Sequence, residues 1–122
     1  MATIVDIDDT LLRNGTQPIR RVIDYVNALP GAIIIVTGRP NSTRSETVSA
    51  LRAAGVKYSR LIMNPYSTRE SNKHKAEVAR RLKSTVTLAI DNDEGARAAY
   101  RNEGIPTKDP ATLPDMKKFW QI

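Results

Sequence analysis

Two aspartates spaced two residues apart follow the first apolar run of the chain, in the sequence DIDDT at residues 6–10. Residues 2–5 predict a short β-strand, and alternate side chains leave a strand on the same side, so Asp6 and Asp8 are expected to converge. Adjacent carboxylates repel unless a cation lies between them, and Mg²⁺ prefers such oxygen ligands. The spacing indicates phosphoryl transfer, although aspartate and threonine are also ordinary turn and capping residues.

Two more polar clusters follow apolar runs of strand length, TGR at residues 37–39 and DNDE at residues 91–94. Cleavage of a phosphate monoester gains from a carboxylate nucleophile, which would be Asp6, and from an acid and base, which would be Asp8. Thr37 and the backbone N–H that follows it would bind phosphoryl oxygens, and Lys75 would neutralise developing charge. Asp91 would complete a Mg²⁺ shell with Asp6.

Each of these residues also has a plain structural interpretation. The TGR cluster precedes Pro40 and suits a strand-to-helix turn, and residues 91–94 suit a helix N-cap with acids in the first turn. Lys75 has basic neighbours, so Lys73 is the competing candidate. His74 is predicted to face solvent between these two lysines and receives no role.

Apolar spacing predicts the elements that must position these clusters. Strands are predicted at residues 2–5, 32–37, 60–63 and 85–90, with a short edge strand at 105–108. Helices are predicted at residues 18–29, 41–54, 73–83 and 96–103, and residues 64–72 are predicted to form a polar loop. The predicted buried positions are Ile19, Val22, Ile23, Val26 and Leu29 in the first helix, Val48 and Leu51 in the second, and Ala76, Ala79 and Leu82 in the third. Leu113, Met116, Phe119 and Trp120 are predicted to dock on the core.

Alternating strands and helices predict a doubly wound, Rossmann-like α/β fold with a parallel sheet of about five strands. The length of 122 residues suits one domain spanning residues 1–122. Ligands of such sheets bind beyond the carboxyl ends of the strands, near the point where the strand order reverses. All three polar clusters are predicted to lie at that edge.

Composition narrows the class of partner. The chain has 19 Lys and Arg against 13 Asp and Glu, a net charge of +6, which favours anionic partners. It has no cysteine, which excludes disulfides and thiolate zinc sites, and no apolar run long enough for a leader or a membrane span. A cytoplasmic protein is therefore expected. One Trp, one Phe and four Tyr offer no evident base-stacking platform.

The chain resembles the haloacid dehalogenase-like (HAD) phosphatases over most of its length. DIDDT is similar to their first motif, with Asp6 as nucleophile and Asp8 as acid and base. Thr37 in IIIVTGR matches the second motif, Lys75 the third, and Asp91 after VTLAI the fourth. Within that superfamily, TGRPNSTRSETVSALRAAGVKYSRLIMNP at residues 37–65, and the spacing of Arg69 and Lys75, resemble the phosphatase domain of phage-type polynucleotide kinases.

This resemblance implies a Mg²⁺-dependent phosphatase that removes 3′ phosphates from nucleic-acid ends through an aspartyl phosphate. It implies substrate contacts from Thr10, Gly38, Arg39, Arg44 and Arg69, and metal ligands from Asp6, Asp8, Asp91 and Asn92. The subgroup usually has a second aspartate where this chain has Asn92, so weaker metal binding, or replacement by Asp93, is expected.

The predicted connections leave no room for a cap domain, so the site should be open to bulky substrates. No GxxxxGK[ST] sequence is present, so no kinase domain is expected. The alternatives are a nucleotide or small-molecule phosphomonoesterase, or a catalytically weak protein that binds phosphorylated ends. A phage origin would place the protein in the host cytoplasm, and its oligomeric state is left open.

Overall fold

The computed structural model describes residues 1–116 and contains a five-stranded parallel sheet between two layers of helices. In chain order the strands are β1 (Ala2–Val5), β2 (Leu12–Arg13), β3 (Gln17–Pro18), β4 (Ala32–Pro40), β5 (Arg60–Asn64), β6 (Val86–Ile90) and β7 (Thr107–Lys108). The helices are α1 (Arg20–Asn27), α2 (Arg44–Ala53), α3 (Ser71–Leu82) and α4 (Glu94–Asn102), with 3₁₀ turns at Asn41–Thr43, Thr68–Glu70 and Pro110–Thr112. The predicted α/β fold is confirmed.

The strand order is β5-β4-β1-β6-β7, so the chain builds outward from β1 on one side and then returns to build the other. The order therefore reverses between the neighbouring strands β1 and β6. Val5 at the end of β1 pairs with Ile90 at the end of β6. Because the strands are parallel and in this register, the residues that follow, Asp6 and Asp91, leave the sheet at the same height.

Strand side chains alternate between two cores. Val5 and Ile35 pack with α1 and α2, whereas Ile4 and Val36 pack with α3 and α4. Every second residue faces the same side, so the direction set by Ile4 continues to Asp6. The first carboxylate of DIDDT therefore points toward the face covered by α3.

The buried face of α3 differs from the predicted one. The helix buries His74, Lys75, Val78 and Ala79, whereas Ala76 and Leu82 are only partly covered. The prediction that His74 faces solvent was wrong, because its side chain is 1% exposed. Burial lowers the pKa of His74, with the Ile62 backbone opposing that effect.

Several element boundaries also differ. Pro18 pairs with Leu12 in the small antiparallel β2–β3 hairpin, so α1 begins at Arg20. β4 continues past Thr37 to Pro40, which pairs with Asn64 of β5. α2 starts after a 3₁₀ turn and buries Thr47, Ala50 and Leu51, with Val48 partly buried against the same core.

The C-terminal end of the described region packs on the core in part as predicted. Leu113 is buried against the core formed with α1 and α2, as predicted, and Met116 is half-buried. The predicted docking of Phe119 and Trp120 lies outside the described residues. Within residues 1–116, no helix combines the length and the apolar character that a membrane crossing needs.

Candidate active site

A buried lysine joins the carboxylates that end β1 and β6. Lys75 Nζ lies 3.0 Å from Asp6 Oδ1 and 2.6 Å from Asp91 Oδ2. These side chains are at most 6% exposed. The helix α3 lies on the sheet face toward which Asp6 points, so the ammonium reaches both acids from the side. The structure thus brings together residues that are 69 and 16 positions apart in the chain.

Burial and charge together set the pKa values of this group. The pKa of Asp6 is raised to about 7: burial raises it most, the positive charge of Lys75 opposes that effect, and the negative charge of Asp91 adds to it. Burial alone would lower the pKa of Lys75, but the two carboxylates outweigh burial and the pKa is raised. The lysine is therefore held as an ammonium ion between the acids.

Thr10 and Asn92 surround the other oxygen of Asp6. Thr10 Oγ1 donates a hydrogen bond to Asp6 Oδ2 at 3.0 Å. With its amide nitrogen turned inward, Asn92 donates to Asp6 Oδ2 at 3.0 Å and to the Asp8 carbonyl oxygen at 3.1 Å. With its amide oxygen inward, that oxygen instead lies beside Asp6 Oδ2 and the Asp8 carbonyl oxygen. The same side chain can therefore close the site on itself or present oxygen ligands to a cation.

Asp8 is half-exposed and is held by Arg39 rather than by a second acid. Arg39 Nη2 and Nε donate to the two Asp8 oxygens at 2.8 and 3.0 Å. The hydrogen bonds to Asp8 raise the pKa of Arg39. The same guanidinium donates to the Gly15 carbonyl at 2.9 Å and to Thr47 Oγ1 at 3.2 Å. Arg39, predicted to contact substrate, therefore ties Asp8 to the hairpin turn and to α2.

Thr37 and Gly38 have different positions relative to the predicted phosphate site. Thr37 is fully buried, and its Oγ1 accepts a hydrogen bond from the backbone N–H of Arg39 at 3.0 Å. Gly38 lines the cavity beside Asp6, and a Cβ at this position would collide with Ser71 at the start of α3. Asn64, which the sequence did not single out, donates to the Gly38 carbonyl at 3.1 Å. Asn64 could have been singled out in the sequence because it is a polar residue at the carboxyl end of β5.

Asp93 has a structural task that separates it from the acids beside it. Its side chain accepts a hydrogen bond from the Ala96 N–H at 2.9 Å as the N-cap of α4, and one from Asn72 at 3.3 Å. A Cβ on Gly95 would lie 2.6 Å from Asn72 Nδ2, so the first turns of α3 and α4 approach closely there. Asp93 is therefore poorly placed to replace Asn92 as a metal ligand.

The two remaining predicted arginines lie in different surroundings. Arg69, in the 3₁₀ turn before α3, is exposed and lines the cavity beside Asp6. Arg44 Nη1 instead donates to the Leu61 carbonyl at 3.2 Å. Arg44 does not line that cavity, so the structure does not bring it to the site.

A cavity of about 380 Å³ opens above Asp6. We call it the acidic pocket, because its charged lining residues are five aspartates and two cations: Asp6, Asp8, Asp9, Asp91, Asp93, Lys75 and Arg69. The 3₁₀ turn and the first turn of α3 add Thr68, Ser71 and Asn72, which the sequence did not indicate. The excess of carboxylates repels a phosphate unless further positive charge enters the pocket.

Within the described residues, no group of three or more histidine, cysteine or acidic side chains is close enough to hold a metal ion. The oxygen atoms that converge near Asp6 are of mixed kind, namely one carboxylate, the Asp8 carbonyl and the Asn92 amide. Asp91, predicted as a metal ligand, is in contact with Lys75. Any cation here would have few charged protein ligands.

Comparison with solved structures shows what the fold is similar to. The chain is similar to a chain in the structure of the Pnkp1/Rnl/Hen1 RNA repair complex, with a TM-score of 0.69 and 22% sequence identity. The similarity covers 88% of this chain and 41% of that one, so this chain spans less than half the length of its neighbour. No family model and no curated protein matches the sequence. The α/β fold of this chain therefore has a counterpart in an RNA repair complex.

Proposed function

We propose that this chain is a Mg²⁺-dependent phosphohydrolase of the HAD type that removes 3′ phosphates from nucleic-acid ends. The observation that carries the proposal is the position of Asp6, a buried carboxylate held by Lys75 and Thr10 at the floor of an open pocket. The pocket lies at the carboxyl ends of β1 and β6, where doubly wound sheets bind their ligands.

In this proposal each acid has a distinct role. Asp6 attacks phosphorus, and the bond from phosphorus to the leaving oxygen breaks as an aspartyl phosphate forms. Asp8 gives its proton to the leaving oxygen and then takes one from the water that hydrolyses the aspartyl phosphate. Arg39 holds both oxygens of Asp8, so that pair must loosen for the proton to move. Lys75 keeps the Asp6 carboxylate aimed and offsets its charge.

The residues present fit a magnesium ion. Mg²⁺ is commonly held by one or two carboxylates together with waters and a substrate phosphate. Asp6, the Asp8 carbonyl and the Asn92 amide oxygen supply hard ligands of that kind. When bound, Mg²⁺ would supply the positive charge that lets a phosphate enter the acidic pocket and would polarise its oxygens.

The nucleic-acid substrate rests on three observations. The chain carries a net charge of +6 although its pocket is acidic, so its remaining surface is basic and attracts polyanions. In the described residues, the path from β1 to α1 contains only the β2–β3 hairpin, and a single 3₁₀ turn separates β4 from α2. The pocket is therefore open to a strand end. The structural neighbour also belongs to an RNA repair complex.

The proposal is tested by phosphate release from oligonucleotides that carry either a 3′ or a 5′ phosphate, beside a free 3′ mononucleotide. We expect release from the 3′ end with Mg²⁺, none with EDTA, and a preference for the oligonucleotide of more than about tenfold, or roughly 1.4 kcal/mol. A smaller preference would favour a nucleotide or small-molecule phosphomonoesterase. Tight binding of phosphorylated ends without turnover would favour a binding protein.

Asn92→Asp is expected to strengthen metal binding, because it adds a carboxylate next to Asp6 Oδ2 and the Asp8 carbonyl. We expect the Mg²⁺ concentration that gives half-maximal activity to fall about tenfold, while repulsion destabilises the metal-free protein by roughly 1 kcal/mol. Mg²⁺ titrations of phosphate release and of thermal unfolding measure both effects. Asn41→Asp, the same change at an exposed position outside the pocket, should alter neither. An unchanged Mg²⁺ requirement in Asn92→Asp would exclude Asn92 from the metal site.

A further inference from the structure

A second cavity adjoins the acidic pocket and has a different character. It measures about 730 Å³, and most of the surface lining it is apolar. We call it the side groove. It is lined by Gly15, Arg39, Pro40, Thr43 and Glu46, and it shares Asp8, Gly38, Thr68 and Ser71 with the acidic pocket. Its volume is in the range of about 300–1,000 Å³ that is typical of sites for small organic molecules.

Asp8 determines which part of a substrate can reach the side groove. The residue lines both cavities, so it stands at their junction. An acid that protonates the leaving oxygen must lie beside that oxygen. With the phosphate above Asp6, the organic half of the ester therefore continues past Asp8 into the side groove.

The charges of the side groove disfavour a second phosphate. Its charged residues are Asp8, Arg39 and Glu46, a net charge of −1. Arg39 already donates to Asp8, Gly15 and Thr47. Glu46 is exposed and makes no hydrogen bond or ion pair within residues 1–116. An uncharged group with hydroxyl or amino donors suits such a lining, and a phosphodiester does not.

Unpaired positive charge lies in the acidic pocket, outside the side groove. Arg69 is exposed, lines the acidic pocket but not the side groove, and has no ion pair in the described region. The two surfaces therefore suit different parts of a nucleic-acid end. The side groove suits an uncharged nucleoside, and the part of the acidic pocket formed by Arg69, here called the Arg69 wall, suits an anionic backbone.

We propose that the side groove binds the terminal nucleoside of the substrate, with Glu46 facing its sugar or base, and that the adjoining phosphodiester leaves along the Arg69 wall. This proposal rests on the proposed function, and it adds the means by which an intact nucleoside end is selected over an end that lacks its base.

The test compares Glu46→Trp, which fills the side groove, with Ala53→Trp, which places the same ring at an exposed position two turns further along α2 and outside the groove. Substrates are 3′-phosphorylated oligonucleotides with an intact or an abasic terminal nucleoside. We expect Glu46→Trp to lower the ratio of kcat/KM for intact over abasic ends at least tenfold, and Ala53→Trp to leave that ratio unchanged. Equal ratios in the two variants would overturn the proposal.

A binding measurement separates this proposal from the proposed function. In an Asp6→Asn background, Glu46→Trp should weaken binding of the intact 3′-phosphorylated end at least tenfold relative to Ala53→Trp. Arg69→Gln should weaken binding of the oligonucleotide more than that of the 3′ mononucleotide. If the wild-type chain releases no phosphate, the proposed function fails. These affinities still test whether the terminal nucleoside binds in the side groove. Equal affinities of the two tryptophan variants would overturn the groove assignment even if the wild type is an active phosphatase.

Discussion

Asp6→Asn should abolish phosphate release while the protein still folds. An amide is not a nucleophile toward phosphorus, and loss of an attacking group that works in concert with its neighbours costs on the order of 10⁴-fold or more in kcat. The asparagine oxygen can still accept from Lys75, which now donates to Asp6 Oδ1, and its amide nitrogen can donate to Thr10 Oγ1, which now donates to Asp6 Oδ2. Steady-state phosphate release and thermal unfolding measure the two parts of this prediction.

Asp9→Asn is the matched control for Asp6→Asn. It makes the same change of charge in the same loop, at an exposed side chain with no hydrogen bond in the described structure. Asp9 has a φ of 60°, a conformation that asparagine also adopts readily, so the backbone should not be strained. Asp9 lines the acidic pocket but has no hydrogen bond to Asp6, Asp8 or Lys75, so we expect turnover within about threefold of the wild type, with the loss of one repelling carboxylate raising it rather than lowering it. Turnover in Asp6→Asn comparable with that of Asp9→Asn would exclude Asp6 as the nucleophile.

Lys75→Met should have the largest effect on stability. The substitution leaves Asp6 and Asp91 buried and close together without the ammonium ion that now contacts both. Removing one partner from a buried ionic group costs about 3–5 kcal/mol, because the remaining charge is neither solvated nor paired. We expect a loss of that size in urea unfolding, together with loss of turnover, since the Asp6 carboxylate is no longer held.

Lys73→Met is the control for Lys75→Met, because it removes an exposed lysine from the same helix. Lys73 lies over the Tyr66 ring and forms an exposed pair with Glu70 at 3.4 Å, and such pairs contribute at most about 1 kcal/mol. Lys73→Met should therefore cost little stability.

The double variant Lys75→Met with Asp91→Asn removes one of the two carboxylates that Lys75→Met leaves unpaired. It should recover part of the lost stability without recovering turnover. Equal destabilisation by the two single lysine substitutions would contradict the buried charge cluster.

The apolar runs predict the parallel sheet and the edge at which the polar clusters lie. Uninterrupted apolar segments such as residues 32–36 indicate strands buried on both faces, and parallel strands bring their carboxyl ends together. That reasoning placed Asp6 and Asp91 at one edge, and β1 and β6 are indeed neighbours. The adjacency could not be read from the sequence itself, because strand order depends on how the crossovers pack.

The buried face of α3 was mispredicted for a physical reason. Apolar periodicity favours Ala76 and Leu82, but the helix turns Lys75 inward because two distant carboxylates neutralise its charge. Neighbouring His74 then becomes buried as well. A pattern of local hydropathy contains no information about a charge partner 69 residues away.

Other features depend on contacts that have no local signature. The β2–β3 hairpin has only two residues per strand, too few for any periodicity. The hydrogen bonds between Arg39 and Asp8 join the end of β4 to the loop after β1, 31 residues away in the chain. An arginine that the sequence offers as a free phosphate ligand is therefore already occupied. Arg44 likewise lies near the TGR segment in sequence but contacts the Leu61 carbonyl.

Gly95, which has no side chain, lets the starts of α3 and α4 lie close together, and this distance sets the position of the Lys75 ammonium group. Asn72, which occupies the space a methyl group there would need, lies one helical turn before Lys75 on α3. Widening the gap between the two helix starts would draw the ammonium away from Asp91, which it now contacts at 2.6 Å. A position with no side chain, outside the lining of the acidic pocket, thus acts as a spacer for the charged group of Asp6, Lys75 and Asp91.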